Sequence, residues 1–360
     1  MKFRLEKSIA SHSPVKHGGL YSAKNTDLSV LDFSSNISPL GFPPLVKKAI
    51  KKEIRSLDVY PDPDSEKLRS HLEWYTKITK DQIVVGNGAT EIIYNFCMAF
   101  LGKKTPILIP VPTFGEYEAA CKLAGCKLSF FKTMNLADSL DNFIKVIPKN
   151  GCIFLCNPNN QTGVVTLKSK MLEIIKSAKK KNTLVFVDEC FIELVPNSNE
   201  SIVKAIKKFD NLFILRSLTK SFGLAGIRIG YGLGSKKIIL VLNKIKIPWN
   251  VSGLAQKAAS AALCHSFYLD KTRNLIKKES KYLSDSIAKM PNFSCHSSAT
   301  NFILIKSKIK SKILQKKLLA KKILVRDCSN FRGLDDHYIR IAVKGHKENI
   351  MLIKALGSIK

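Results

Sequence analysis

From Pro63 onward, short apolar runs ended by turn-forming residues alternate with helix-length segments, and this alternation restricts the chain more than any other feature. The runs are Ile83–Val85, Pro106–Pro110, Cys152–Cys156, Leu184–Val187 and Leu212–Arg216. Helical patterns cover Ser65–Tyr75, Ala89–Leu101, Glu116–Ala124, Lys168–Lys180 and Ile202–Lys207. Strands that alternate with helices predict a mostly parallel sheet covered on both faces. After Gln256 a long helical stretch runs to about Met290, and strands near Phe302–Ile305 and Tyr338–Val343 finish a second, smaller α/β unit. The division expected is an N-terminal arm over 1–40, a large domain over 41–255 and a small C-terminal domain over 256–360. With 360 residues, 45% of them apolar, there is enough material for both cores.

In such a sheet, ligands bind where the carboxyl ends of strands meet helix starts. Four suggestive segments fall there. Gly86-Asn87-Gly88-Ala89-Thr90-Glu91 is a glycine-rich turn into a helix, whose backbone N–H groups and positive dipole end suit a phosphate. Asn157-Pro158-Asn159-Asn160-Gln161-Thr162-Gly163 is a turn that needs no function to explain it. Val187-Asp188-Glu189 puts an acid at a buried strand end, either as a helix cap or as a partner for a cationic ring nitrogen. Ser217-Leu218-Thr219-Lys220-Ser221 surrounds one lysine with hydroxyls, and Arg228 follows. A desolvated lysine with cationic neighbours loses its proton and attacks a carbonyl. Each segment is weak alone; their order is what makes the set specific.

The set resembles the fold-type I pyridoxal-phosphate (PLP) enzymes, along essentially the whole chain. The resemblance implies that Lys220 carries the cofactor as a Schiff base, that Asp188 pairs with the pyridine nitrogen and that Asn160 donates to the ring O3′. It implies a phosphate cradle of Ala89, Thr90, Ser217, Thr219 and Arg228, with Phe114 of Pro112-Thr113-Phe114 stacked on the ring. Tyr60, in Tyr60-Pro61-Asp62, matches a tyrosine that reaches the cofactor phosphate of a neighbouring subunit, so a homodimer is implied. Two departures stand out. Gln161 occupies the place of proline in the family's Asn-Pro-Thr-Gly turn, which should survive less rigidly. Phe191 stands where many aminotransferases have a tyrosine that donates a second hydrogen bond to O3′.

Within the family the chain looks like the branch that holds histidinol-phosphate aminotransferases and L-threonine-O-3-phosphate decarboxylases. His17-Gly18-Gly19, the segment Asp32 to Gly41, Pro248-Trp249-Asn250-Val251-Ser252 and the segment Arg326 to Leu334 resemble the decarboxylases more, and Phe191 agrees. The expected activity is therefore decarboxylation of L-threonine O-3-phosphate to (R)-1-aminopropan-2-yl phosphate for cobalamin synthesis, with histidinol-phosphate transamination as the alternative. A basic, non-catalytic binding protein on the same fold is a more distant reading, disfavoured by the retained Lys220, Asp188 and Asn160. Candidate substrate ligands are His17 and Asn36 from the arm, with Arg326, Arg332 and Arg340; a surface ion pair is the plain alternative for Arg332.

The formal charge of +31 raises the question of nucleic acid. Only nine of the 59 basic residues are arginines, and the lysines are spread along the chain, whereas nucleic-acid readers concentrate arginine and exposed aromatics in a stripe. A solvated lysine surface is the expectation, with no nucleic-acid partner. Nine cysteines form no Cys-x-x-Cys pair and no metal-ligand spacing. No apolar run is long enough to span a bilayer, and Met1–Ala10 lacks the apolar core of a secretion signal. A cytoplasmic enzyme with reduced thiols and no metal is expected.

Overall fold

The computed structural model describes residues 6–23, 27–196 and 199–359. Its large sheet has seven strands: β1 (Ile83–Gly86), β2 (Pro106–Val111), β3 (Lys127–Lys132), β4 (Cys152–Cys156), β5 (Leu184–Asp188), β6 (Leu212–Ser217) and β7 (Gly230–Gly234). They lie in the order β1-β7-β6-β5-β4-β2-β3, and β7 alone runs antiparallel to its neighbours. The central strands are apolar throughout because both faces are covered. Ile153, Leu155, Val185, Val187 and Ile214 point into one core, with Met171, Ile174 and Ile175 of the helix Lys168–Lys180. The alternate residues Phe154, Phe186, Phe213 and Leu215 point into the other, with Ile93 and Phe96 of the helix Gly88–Phe100.

Strand β7 carries no pattern that marks a strand, since its sequence is Gly-Tyr-Gly-Leu-Gly. Packing explains the glycines. A Cβ at Gly232 would lie 2.3 Å from the Phe213 ring, and one at Gly230 would lie 2.6 Å from the Ala89 backbone nitrogen. The missing side chains let the Gly88–Phe100 helix start directly against the sheet. Edge strand β3, bounded by lysines, was also outside the sequence reading.

The small domain is an antiparallel sheet of β8 (Phe293–Cys295), β9 (Phe302–Ser307), β10 (Arg326–Asp327) and β11 (Tyr338–Ala342), in the order β10-β11-β9-β8. Two expectations need correction. The arm is not merely a wrap: Leu31–Asp32 pairs in parallel with Ile323–Leu324, and Phe33 is fully buried in the small core. The helix Gly253–Leu263, assigned to the small domain, packs instead on the helix Pro44–Glu53, and its alanines 255, 258, 259 and 262 belong to the large core. Along the helix Tyr268–Ala288, Ile276 joins the large-sheet core and Leu283 and Ile287 join the small one. Among the described residues no helix is long and apolar enough to cross a membrane.

Candidate active site

Strands β1, β2, β4, β5 and β6 all end at one edge of the large sheet, and a cavity of about 340 Å³ opens there. Lys220 reaches it from the short helix Leu218–Ser221 that follows β6. Burial first, then the positive charge of Arg340 and, less, that of Arg228, lower its pKa to about 8, while Cys190 and Asp188 pull upward. Its amine is therefore half neutral near pH 8, far below a free lysine. The Phe191 ring lies 5.9 Å from Nζ and gives that side of the site an apolar wall.

Asp188, 5% exposed, ends β5. The Cys190 N–H donates to Oδ1 at 2.8 Å and the Tyr117 hydroxyl to Oδ2 at 2.6 Å. Burial raises the Asp188 pKa, while these two donors and the Lys220 charge oppose the rise. A cation directly beside Asp188 would favour its charged form further. Tyr117 is wholly buried, edge-on to Phe114 at 5.6 Å. Its role escaped the sequence reading, although Phe114 and Tyr117 lie three residues apart across the start of one helix, the spacing that puts side chains on a common face.

The turn after β4 keeps its shape without the family's proline. Asn159 O accepts from the Gln161 and Gly163 N–H groups, and Asn157 exchanges two hydrogen bonds with the Thr166 backbone. Asn160 Oδ1 accepts from Arg340 Nη1 at 2.6 Å, which fixes the amide and leaves Nδ2 as its donor. Opposite, Gly88 begins its helix at φ +81, and a Cβ there would lie 2.5 Å from Arg228 Nη2. Only glycine admits the guanidinium so close to the helix start. Ala89, Thr90, Ser217 and Thr219 complete this corner of the cavity, and the Thr219 hydroxyl is buried without a partner.

His17 and Asn36 close the cavity from the arm. His17 Nε2 is 2.7 Å from the buried Glu116 Oε1, and Tyr94 donates to Oε2 at 2.7 Å. Burial pushes the Glu116 pKa up, but these partners hold it below the usual range. Arg326 does not line the cavity; Nη1 donates to the His17 carbonyl at 2.8 Å and Nη2 to that of Lys16 at 2.5 Å, so it ties down the arm. Arg340 does line it. Arg332 is not brought in: half exposed, it makes a two-pronged bond to Glu118 at 2.9 and 2.8 Å and lies over the Phe130 ring. A larger cavity of about 770 Å³, between arm residues 11–16 and Arg332, contains neither Lys220 nor Asp188. Tyr60 is 79% exposed, stacked on Trp249 at 4.8 Å, and outside its own chain's cavity. Among the described residues no group of metal-ligating side chains occurs. Arg216, at the end of β6, is a structural cation, buried between Glu189 and Glu193 at 2.8 and 3.0 Å.

The family described as "Aminotransferase class I and II" matches residues 29–356. The chain belongs to this family. This class I and II aminotransferase family member is 38% identical over 330 residues to the histidinol-phosphate aminotransferase of Thermoanaerobacter sp. (strain X514), covering 90% of this chain and 92% of that one. It is 30% identical over 353 residues to the threonine-phosphate decarboxylase of Salmonella typhimurium, covering 95% and 96%. The crystal structure of the histidinol-phosphate aminotransferase from Clostridium acetobutylicum superposes with a TM-score of 0.83 at 35% identity, over 91% of this chain and 98% of that one. Relatives of both names thus surround it, and it is a PLP-dependent enzyme.

The residues present fit that cofactor. A helix start opened by Gly88, the partnerless Thr219 hydroxyl and Arg228 make an anion cradle. Asp188 offers the same cavity a buried carboxylate that suits a cationic ring nitrogen, and Lys220 lies there with its pKa lowered.

Proposed function

We propose that this enzyme decarboxylates L-threonine O-3-phosphate to (R)-1-aminopropan-2-yl phosphate, the reading that also ties it to cobalamin synthesis. The lining of the cavity carries this reading. The arm residues His17 and Asn36 and the small-domain residue Arg340 line the cavity, which suits a substrate with an anion at each end.

When bound, pyridoxal phosphate supplies an electron sink for the pair released at the substrate's α-carbon. Lys220 would hold it covalently, Asp188 its ring nitrogen, Asn160 its phenolic oxygen, Phe114 its ring face, and Ala89, Thr90, Ser217, Thr219 and Arg228 its phosphate. Arg340 takes the substrate carboxylate and His17 and Asn36 its phosphate, with Arg326 behind them. The remote phosphate contact would orient the substrate so that the bond to its carboxylate is the one held for cleavage. Lys220, its amine freed once the substrate amine has displaced it, would then return a proton to the α-carbon in place of the departed carbon dioxide. Tyr60, exposed and outside its own cavity, serves the cofactor phosphate of a second copy in a homodimer. Nine free thiols support a reducing, cytoplasmic setting.

Histidinol-phosphate transamination is the second reading, favoured by the 38% identity to an enzyme of that name. Carbon dioxide released from L-threonine O-3-phosphate alone supports decarboxylation. Glutamate formed from histidinol phosphate and 2-oxoglutarate, without carbon dioxide from the first substrate, refutes it.

A further inference from the structure

Arg340 can meet an anion with different edges of its planar guanidinium, and its surroundings select one. Nη1 carries two N–H groups, and two acceptors take them: Asn160 Oδ1 at 2.6 Å and Gln161 Oε1 at 3.1 Å. Nε is buried without a partner, and Nη2 forms no hydrogen bond among the described residues. The plane itself is steadied by the Phe302 ring, 5.2 Å from Cζ. What remains free is the pair Nε–H and Nη2–H on one edge, the fork that a carboxylate grips with both oxygens.

Gln161 is fully buried and stands where the resembling enzymes have proline, a residue with no side-chain acceptor. Its Oε1 also lies 4.0 Å from the buried Cys328 Sγ, while Nε2 is buried with no partner at all. A buried amide with one end unsatisfied is costly. The bond to Arg340 is the one strong interaction its side chain makes.

We propose that Gln161 is a positioning residue that sets the specificity of Arg340, by occupying Nη1 so that only the Nε/Nη2 edge is presented to a substrate carboxylate. This rests on the proposed role of Arg340 and not on which substrate is the natural one. Without Gln161 the guanidinium regains a free hydrogen on Nη1 and rocks between two edges, so the carboxylate loses its prepared partner.

The test is Gln161→Met in the PLP-loaded enzyme, which keeps side-chain length and the backbone N–H bonded to Asn159 O. A hydrogen bond to a charged group predicts a rise of about tenfold in KM for L-threonine O-3-phosphate. The inhibition constant of 1-aminopropan-2-yl phosphate, which has no carboxylate, should stay within about twofold. If the wild type proves to be a transaminase, glutamate and histidinol phosphate supply the same comparison, so failure of the functional reading is separable from failure of this one. Gln161→Pro, the turn residue of the resembling enzymes, is the second variant and should show the same split. Equal weakening of both ligands would mean a merely structural residue. Unchanged or tighter carboxylate binding would mean that Gln161 competes for Arg340 rather than positioning it. Either result overturns the proposal.

Discussion

Removing the Tyr117 hydroxyl should expose how this site keeps a carboxylate charged in a dry place. In Tyr117→Phe the ring remains, stacked on Phe154 at 5.6 Å and edge-on to Phe114, so packing is preserved. What goes is the 2.6 Å hydrogen bond to Asp188 Oδ2. A hydrogen bond to a charged group contributes about 1.5–3 kcal/mol. If Asp188 must be ionised to hold the cofactor, PLP affinity should fall roughly tenfold to a hundredfold. The apoprotein has a way out that the holoenzyme lacks, because without the cofactor a proton on Asp188 can replace the lost donor. Burial already raises this pKa, and losing a donor raises it further. A carboxyl whose folded pKa exceeds its unfolded value contributes stability at low pH that is lost as pH rises through the folded value. Apo Tyr117→Phe should therefore match the wild type near pH 4 and fall behind it as pH rises toward 8. Cofactor affinity by absorbance titration and apo thermal unfolding across that range are the measurements. Unchanged affinity together with a pH-independent stability difference would refute the reasoning.

Other expectations are narrower. Because burial brings Lys220 to a pKa of about 8, holoenzyme formation from apoprotein and PLP should accelerate about tenfold per pH unit below that value and level off above it; a rate still climbing toward pH 10 contradicts the burial argument, and Lys220→Ala should abolish the bound visible chromophore. Phe191→Tyr restores a hydroxyl beside the ring O3′ and should shift the cofactor–lysine titration to lower pH, an unchanged or raised value being the refutation. Arg332→Ala removes a half-exposed ion pair with Glu118, so it should cost no more than about 1 kcal/mol of stability and leave KM for a phosphorylated substrate unaltered.

The parts of the site legible in the sequence are those whose chemistry is local. A lysine flanked by hydroxyls after a strand, an acid at a strand end and a glycine turn into a helix each carry their reason within a few residues. The same holds for strands β4, β5 and β6, apolar because both faces are buried. What escaped is what only the closed sheet brings together. Tyr117 and Asp188 are 71 residues apart, and nothing near either one names the other. His17 meets Glu116 across 99 residues, through an arm with little periodicity to read. β7 escaped for the opposite reason. Its glycines are spaces kept for Phe213 and for the start of the Gly88–Phe100 helix, and an absence of side chains gives no pattern.

Arg332 and Arg340 make the same point from the other side. Both are arginines in motif-like segments, and each has a two-pronged partner or room for one. Arg332 sits at the surface facing a carboxylate of its own chain, which occupies its fork before any substrate arrives. Arg340 is buried, its pKa brought down to about 10 chiefly by burial, and its neighbours are neutral amides that take two hydrogens and leave its charge uncompensated. A buried cation without a counter-ion is unfavourable in the empty protein, and that unfavourable state is relieved when a carboxylate binds. The discriminating quantity between a structural and a substrate-binding arginine is thus the charge of what already touches it, which residue identity alone does not reveal.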